Sequence, residues 1–255
     1  MPLELVTVPC LSDNYAYLIR DRETGTVAVV DVPEATPIID ALIARGWTLT
    51  KILITHHHDD HIQGIPDLTA RFPAALVGAA ADAHRLPDLD ETVSEGDTVS
   101  VGASEAQVID VSGHTVGHIA FHFPAAKMAF TADSLMALGC GRVFEGTYDQ
   151  MWASLCKLAA LPAETTICSG HEYTAANAKF ALTIEPDNPK LQARVAEISE
   201  KRTKGLPTVP SLLSKELETN PFLRASDESV KAGLNMANAS DADVFAEIRR
   251  RKDAF

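Results

Sequence analysis

The heptapeptide THHHDDH, which directly follows the apolar run KILI, carries four histidines and two aspartates. Because side chains alternate in direction along a strand, His56 and His58 are predicted to point to the same side as the chain leaves the strand. His57 then points elsewhere and is not predicted to bind a metal. Asp60 and His61 fall on the turn that follows, from which they can reach a second centre. Imidazole and carboxylate donors together favour zinc, iron or manganese over calcium, which takes oxygen ligands.

Three further motifs place a candidate ligand just after an apolar run. VIDVSGHTVGH puts His114 on a loop flanked by glycine, MAFTADS puts Asp133 directly after a strand, and TTICSGHEY puts His171 in a similar position. A carboxylate at the end of a buried strand is costly unless it is paired. Since α/β proteins usually place their sites where strand ends meet, the four motifs predict a metal site rather than a solvated histidine-rich loop.

The remaining histidines are interpreted differently. His84 lies in the polar stretch ADAHRLPD and is predicted to be a surface residue. His122 alternates with two phenylalanines, which favours a strand residue that faces solvent or a polar pocket. For His118 two roles stay open, a supporting hydrogen bond to the loop of His114 or a purely structural role.

Composition limits the class of protein. The 255 residues carry a net charge of −13 and 46% hydrophobic side chains, which argues against a general nucleic-acid binder and allows a buried core. No run reaches the roughly 18 apolar residues of a membrane span, and we expect no signal peptide. The four cysteines have no C-x-x-C spacing, which fits a reducing cytoplasm.

Charge is unevenly distributed along the chain. Residues 201–255 hold ten basic and eight acidic side chains, whereas the preceding 200 residues hold 12 basic and 27 acidic ones. A modestly cationic tail suits a small anionic substrate, and a solvated helix surface is the simpler alternative.

Periodicity predicts alternating strands and helices, followed by a helical tail. Nine short apolar or β-branched runs between residues 3 and 168 predict strands. Helices are predicted to begin around Pro37 and after Thr147, Asn188 and Ser240, with Gly46 as the stop signal of the first. After about residue 172 the strand signals fade, so residues 173–255 are predicted to form a small helical domain.

The motifs THHHDDH, SGHTVGH, FTADSL and SGHEYT, in that order, resemble the metallo-β-lactamase superfamily. The stretches GCGRVFEGT, GHEYTAANAKFA, PTVPS, NPFLR and RRRKDAF narrow the resemblance to the glyoxalase II family, the hydroxyacylglutathione hydrolases. This resemblance covers essentially the whole chain, and the tail motifs are its most specific part.

The resemblance implies an α/β fold, an αββα metallo-β-lactamase sandwich with a small C-terminal all-helical domain. Residues 1–172 would form the catalytic domain and residues 173–255 the helical glutathione-binding domain. It also implies two divalent metal ions, most simply Zn²⁺, with iron or manganese as alternatives. The implied ligands are His56, His58 and His114 for one ion, Asp60, His61 and His171 for the other, and Asp133 bridging both.

The reaction implied by the resemblance is hydrolysis of S-D-lactoylglutathione to glutathione and D-lactate, in methylglyoxal detoxification. Asp60 and Asp133 would act through a metal-bridging hydroxide, since metal ions can lower the pKa of bound water from 15.7 towards about 7. A thiol with a pKa of about 8.5 leaves as thiolate, so no strong general acid is required. We expect a cytoplasmic monomer that acts on a small thioester, without nucleic-acid or membrane partners.

Candidate substrate groups come from the spacing of the tail and from the family. Arg249 and Lys252 are three apart on a predicted helix and share a face, and similarity to the family assigns them to a carboxylate of glutathione. Arg142, Tyr173 and Asn177 match further glutathione-contacting positions. Position 144 departs from the family, which often has tyrosine there, because this chain has Phe144.

Three alternatives compete with this interpretation. A persulfide dioxygenase of the same superfamily would hold one iron and consume oxygen, but such proteins lack the long tail. A β-lactam hydrolase fits the tail and Asp60 poorly. A non-catalytic glutathione-binding protein would need no complete set of metal ligands.

Overall fold

The computed structural model describes residues 2–255 and divides them into two compact units. Unit 1 contains residues 2–111 and 116–132, and unit 2 contains residues 112–115 and 133–255. The domain boundary predicted between residues 172 and 173 stays a prediction. None of the helices within residues 2–255 has the length and apolar character needed to cross a membrane.

The first sheet of unit 1 has six strands in sequence order, with antiparallel pairing up to the third strand and parallel pairing after it. Its strands are β1 (Leu3–Cys10), β2 (Asn14–Asp21), β3 (Val27–Val30), β4 (Leu49–Leu53), β5 (Ala75–Ala79) and β6 (Glu91–Val93). The helices of this unit are α1 (Ala35–Arg45), α2 (Asp59–Ile62) and α3 (Ile65–Arg71).

Helix α1 connects the antiparallel and parallel parts of this sheet. Its buried side chains Ile38 and Leu42 are four residues apart and therefore lie on one face, which joins the core formed with β1 to β5. Gly46 ends the helix at φ 64°, a left-handed conformation that glycine adopts without steric cost, and its N–H reaches the carbonyl of Ile43. The predicted stop signal is confirmed.

Four further strands of unit 1 form an antiparallel arrangement in the spatial order β10–β9–β8–β7. They are β7 (Thr98–Val101), β8 (Ser104–Asp110), β9 (Ile119–Phe123) and β10 (Met128–Ala132). Strands β9 and β10 are buried along their whole length, and Phe121, Phe123 and Phe130 are among the largest fully buried side chains. Burial on both faces explains why these strands lack a polar alternation.

Unit 2 is mainly helical. Its short strands are β11 (Leu135–Met136), β12 (Gly139–Cys140), β13 (Thr166–Ser169) and β14 (Ser211–Leu212). Strands β11 and β12 form an antiparallel hairpin, and β13 pairs antiparallel with β14, which lies beyond α5 and α6 in the chain. Its helices are α4 (Tyr148–Ala159), α5 (Thr174–Ile184), α6 (Pro189–Thr203), α7 (Leu213–Thr219), α8 (Glu228–Gly233) and α9 (Asp241–Ala254).

The three helix starts predicted from capping residues are confirmed in unit 2. Thr147 forms a capping box, in which its side chain and that of Gln150 each bond the other's backbone N–H. The side chain of Asn188 accepts hydrogen bonds from the first backbone N–H groups of α6. The side chain of Ser240 accepts a hydrogen bond from the backbone N–H of Asp243 in α9. These caps fix where the helices of the tail begin.

Candidate metal centre and substrate groups

Unit 1 supplies four candidate donors from one short segment. His58 keeps an extended conformation as the residue before α2, so the chain passes from strand to helix within the motif. The ring centroid of His56 lies 4.8 Å from that of His58 and 4.2 Å from that of His61. His61 Nε2 lies 3.9 Å from Asp60 Oδ2. Unit 1 therefore brings together the four side chains predicted from THHHDDH.

Asp31 orients the donors of unit 1, and sequence reasoning missed it. Its carboxylate accepts hydrogen bonds from the N–H and hydroxyl groups of Thr55 at 2.9 and 2.8 Å and from Nδ1 of His61 at 2.8 Å. A carboxylate only accepts, so the proton of a neutral His61 sits on Nδ1 and the lone pair on Nε2. Asp31 follows β3 directly, the same signal that singled out Asp133.

Other side chains support the same segment. Asn14 donates from Nδ2 to Oδ2 of Asp60 at 3.0 Å, which fixes that carboxylate. His57 lies 3.1 Å from the carboxylate of Asp82, so its ring is engaged with a different partner from the candidate ligands. The ring of His118 stacks on that of His56 with centroids 4.6 Å apart.

His84 and His122, neither of which was predicted to bind a metal, differ in burial. His84 is exposed, as expected. His122 is a strand residue, as predicted, but the structure buries it instead of facing it to solvent. Burial lowers the pKa of His122 below its ordinary value, because desolvation disfavours the charged imidazolium.

Unit 2 supplies three candidate donors from three separate segments. Asp133 Oδ2 lies 3.5 Å from Nε2 of His114 and 3.3 Å from Nε2 of His171. All three side chains are at least nine-tenths buried. One carboxylate oxygen therefore lies close to two imidazole nitrogens inside unit 2.

The backbone fixes which nitrogen of His114 is the donor atom for a metal. Its Nδ1 lies 2.7 Å from the carbonyl oxygen of Arg142, and a carbonyl only accepts, so a neutral His114 has its lone pair on Nε2. That lone pair then points towards the carboxylate of Asp133, and two acceptors facing each other repel. A bound divalent cation resolves this repulsion, so the side chains present fit a metal ion.

Two aromatic rings accompany the metal donors of unit 2. Phe144 lies against the ring of His114 with centroids 5.3 Å apart, and its side chain is 61% exposed. Tyr173 stacks on His171 with centroids 4.6 Å apart and is 41% exposed. His114 and His171 thus each have an accessible aromatic surface beside them.

The predicted cationic residues of the tail share one aromatic surface. Arg249 places its guanidinium 5.1 Å from the ring centroid of Phe222, and Lys252 places its ammonium 5.4 Å from that of Phe180. These two rings stack on each other, so both cations lie on the same face of α9, as their spacing predicted. Burial, together with the positive charge of Arg249, lowers the pKa of Lys252 below its ordinary value.

The other candidate substrate groups differ in exposure. The side chain of Arg142 is 54% exposed and lies 3.4 Å from Asp253, which also accepts from Arg249 at 2.8 Å. Asn177 is buried, and its amide donates to the carbonyl of Ala137 at 3.1 Å. Arg249 is buried as well and donates to the carbonyl of Cys140 at 2.9 Å. Their roles in substrate binding stay predictions.

All four cysteines are free thiols. Burial raises the pKa of Cys10 and of Cys140 to about 11, and in Cys140 the nearby Arg249 offsets part of that rise. Burial also raises the pKa of Cys168 and, together with the charge of Asp241, that of Cys156. None of these thiols has the depressed pKa of a nucleophilic cysteine.

Comparison with protein families covers both parts of the chain. Residues 12–171 match the model of the metallo-β-lactamase superfamily, and residues 172–255 match that of the hydroxyacylglutathione hydrolase C-terminus. Among solved structures, ETHE1 from Myxococcus xanthus is similar with a TM-score of 0.69 and 26% identity, covering 98% of this chain and 90% of that one. The predicted fold class, a metallo-β-lactamase fold with a helical C-terminal region, is confirmed.

Curated relatives are similar over their full length. Hydroxyacylglutathione hydrolases from Cereibacter sphaeroides and Ruegeria pomeroyi are 65% and 62% identical to this chain, with complete coverage of both sequences in each comparison. The chain belongs to the hydroxyacylglutathione hydrolase family. Family membership and the His/Asp donors together indicate a divalent metal site.

Proposed function

We propose that this enzyme hydrolyses S-D-lactoylglutathione and related S-hydroxyacylglutathiones to glutathione and the free hydroxy acid, D-lactate in the first case. The observation that carries the proposal is Asp133, whose carboxylate oxygen lies within 3.5 Å of Nε2 in both His114 and His171. A buried carboxylate beside two imidazole acceptors is suited to a ligand shared by two cations. Full-length relatives named for this activity supply the substrate class.

We propose two divalent ions per chain, with zinc as the best fit to imidazole and carboxylate donors. Following the family, the residues that would hold them are His56, His58 and His114 for one ion, Asp60, His61 and His171 for the other, and Asp133 for both. When bound, such ions lower the pKa of a water molecule to about 7 and polarise the thioester carbonyl. The contacts of Asp31 and of the Arg142 carbonyl support this assignment, because both orient Nε2 towards a metal.

The residues of unit 2 would bind the glutathione part of the substrate. Glutathione carries two carboxylates, and the Lys252 ammonium is a partly desolvated cation that can pair with one of them. Arg142 offers a second, exposed guanidinium. The rings of Phe144 and Tyr173 flank the metal donors and provide apolar surface for the peptide.

The departing group needs little help from the protein. A cysteine thiol has a pKa of about 8.5, so the product can leave as thiolate near neutral pH. The cysteines of the protein itself have raised pKa values, so none of their thiols is suited to act as a nucleophile. Hydrolysis through water, without a covalent intermediate on the chain, is the simplest route.

The competing functions lack a comparable observation. A persulfide dioxygenase or a β-lactam hydrolase does not account for the C-terminal match over residues 172–255. We propose a monomer in the cytoplasm. The four free thiols support the second point, because they suit a reducing compartment. Sedimentation of the purified protein and fractionation of cells test these two points.

The decisive experiment measures thioester hydrolysis and metal content on the same purified sample. We expect turnover of S-D-lactoylglutathione, two divalent ions per chain, and loss of turnover when a chelator removes them. His114→Ala should lower both metal content and turnover, whereas the exposed His84→Ala is the matched control and should change neither. One iron per chain with oxygen uptake, or full turnover after complete metal removal, would contradict the proposal.

A further inference from the structure

The hairpin β11–β12 lies between the metal donor Asp133 and the candidate substrate residue Arg142, and side chains from the helical tail hold it. We propose that Asn220 and Glu216 are positioning residues that act through this hairpin on His114 and Asp133. The inference rests on the proposed function only in taking these two side chains as metal ligands.

Side chains of the helical tail form hydrogen bonds with several backbone groups of the hairpin. Asn220 donates from Nδ2 to the carbonyl oxygens of Met136 at 3.1 Å and of Gly139 at 3.0 Å. Between these two carbonyls, the N–H of Leu138 donates to Oε2 of Glu216 at 2.8 Å. Glu216 within α7 and Asn220 directly after it thus bond three backbone groups of the hairpin.

The two positioning side chains are themselves held firmly. Glu216 is fully buried and forms an ion pair with the buried guanidinium of Arg194 on α6. It also accepts from the hydroxyl of Ser211 at 2.6 Å and from Asn220 at 3.2 Å. A buried network in which each member is bonded is rigid, so it can impose a conformation on the hairpin.

The hairpin requires such support. Its strands contain only two residues each, and Leu138 in the turn has φ 56°, in the left-handed region that a branched side chain rarely adopts. A conformation of this kind persists where the surroundings determine it and is typical of functional sites. The bonds from Glu216 and Asn220 are the surroundings that hold Leu138 there.

The end of the hairpin is packed directly against the metal donors. A Cβ atom added to Gly141 would lie 1.9 Å from the carbonyl oxygen of Asp133 and 3.0 Å from Nδ1 of His114. The next residue, Arg142, provides the carbonyl that accepts the Nδ1 proton of His114. A shift of a few tenths of an ångström at the hairpin would therefore displace both donors, or break the bond that orients His114.

Metal affinity of the otherwise intact chain tests this inference. Asn220→Ala removes both carbonyl contacts, and we expect metal affinity, measured by competition with a chromophoric chelator, to fall about 10- to 100-fold, as for other residues that orient ligands. We expect kcat to fall with it. Metal affinity is the deciding measurement, because the hairpin also carries the Cys140 carbonyl that Arg249 bonds, so KM can change as well. Asn220→Ser, which keeps one hydroxyl donor, gives a milder variant in case the alanine protein does not fold.

Asn188→Ala is the matched control. Asn188 is also in the helical tail and caps α6, but its contacts are with Lys190, Leu191, Glu185 and Glu218 and not with the hairpin. It should lower the unfolding temperature while leaving metal affinity unchanged. If the Asn220 variants bind metal like the parent and only unfold earlier, as the control does, the network is merely structural and the inference is wrong. Because metal affinity does not depend on the substrate, a parent that binds metal but does not hydrolyse the thioester would contradict only the proposed function.

Discussion

The two units supply metal donors in different ways. In unit 1 the four donors fall within six consecutive positions, and the loop is held by nearby strand-end residues such as Asp31 and Thr55. In unit 2 the three donors come from segments up to 57 positions apart, and their support reaches from the helical tail. Every candidate substrate residue also lies in unit 2. Changes in unit 1 should therefore alter metal binding alone, whereas those in unit 2 can alter metal binding or substrate binding.

The largest effect should follow from removing Asp133. Asp133→Ala eliminates the carboxylate that lies near both His114 and His171, so metal stoichiometry and turnover should fall together. Because residues that only support a ligand cost about 10- to 100-fold, loss of this ligand should cost more than about 100-fold in turnover. Metal analysis and steady-state kinetics check this, with the exposed Asp149→Ala as control. A variant that kept two ions and near-normal turnover would refute the bridging role.

Lys252, at the end of the tail, should govern substrate affinity without governing chemistry. Lys252→Ala should raise KM for S-D-lactoylglutathione by about 10- to 150-fold and leave kcat nearly unchanged, since a charge-assisted contact contributes roughly 1.5–3 kcal/mol. Raised salt should weaken substrate binding by the parent in the same direction. The neighbouring Arg251→Ala removes an exposed cation and serves as control. An unchanged KM in the Lys252 variant would make the basic tail a solvated surface.

A substitution at Asp31 tests the expectation that changes in unit 1 alter metal binding alone. Asp31→Asn keeps a residue that tolerates the left-handed φ of 57° but removes the charge that orients His61. Metal affinity should fall by about 10- to 100-fold while KM stays close to that of the parent. Asp21→Asn is the matched control, because Asp21 is also a buried carboxylate of unit 1 but bonds Thr24 and Ser104. Equal loss of metal in both variants would mean that unit 1 is generally destabilised.

Lys252 should also give substrate binding a characteristic pH dependence. Its pKa lies below the ordinary 10.5, because burial and the charge of Arg249 disfavour the ammonium, so the proton is lost at a lower pH than from an exposed lysine. KM of the parent should therefore increase in the alkaline range. In Lys252→Arg the increase should vanish, because a guanidinium stays protonated. A KM profile identical in both proteins would exclude Lys252 as the titrating group.

The smallest effect is expected at Phe144. If the tyrosine hydroxyl of other family members bonds glutathione, Phe144→Tyr should lower KM by about 2- to 12-fold, because one hydrogen bond contributes roughly 0.5–1.5 kcal/mol. kcat should change little, since in the proposed binding mode the ring would contact the peptide and not the thioester. Steady-state kinetics on this variant decide the matter. A higher KM would indicate that the pocket has adapted to phenylalanine and would count against the family's usual binding pose.

Local signals made much of the molecule predictable. The donors of THHHDDH and the helix starts at Thr147, Asn188 and Ser240 depend on neighbours within a few positions, so the sequence alone indicates them. Asp31 was missed although it follows a strand as Asp133 does, because the histidine that it orients, His61, lies 30 positions further along the chain. Helix α5 was not predicted individually, because the face that it buries includes the polar Thr174 and Asn177 and two alanines, and not only large apolar side chains.

Long-range contacts explain what the sequence could not reveal. Asn220 bonds carbonyls 81 and 84 positions earlier, and nothing in the motif NPFLR specifies such partners. Strands β6 and β7 are short and partly polar, so their pairing depends on neighbours rather than on their own composition. The residues that support the donors of unit 2 could therefore be found only from the three-dimensional structure. In unit 1, by contrast, the position of Asp31 directly after a strand was already a signal in the sequence.

The raised pKa values of the cysteines have a consequence for the proposed reaction, which releases glutathione as a thiol. Thiol–disulfide exchange requires thiolate, and a pKa of about 11 leaves Cys10 and Cys140 almost entirely protonated at neutral pH. The raised pKa values of Cys156 and Cys168 have the same effect. Oxidised glutathione should therefore not form mixed disulfides readily with this chain. The rate at which the enzyme turns over its substrate should not depend on the ratio of reduced to oxidised glutathione.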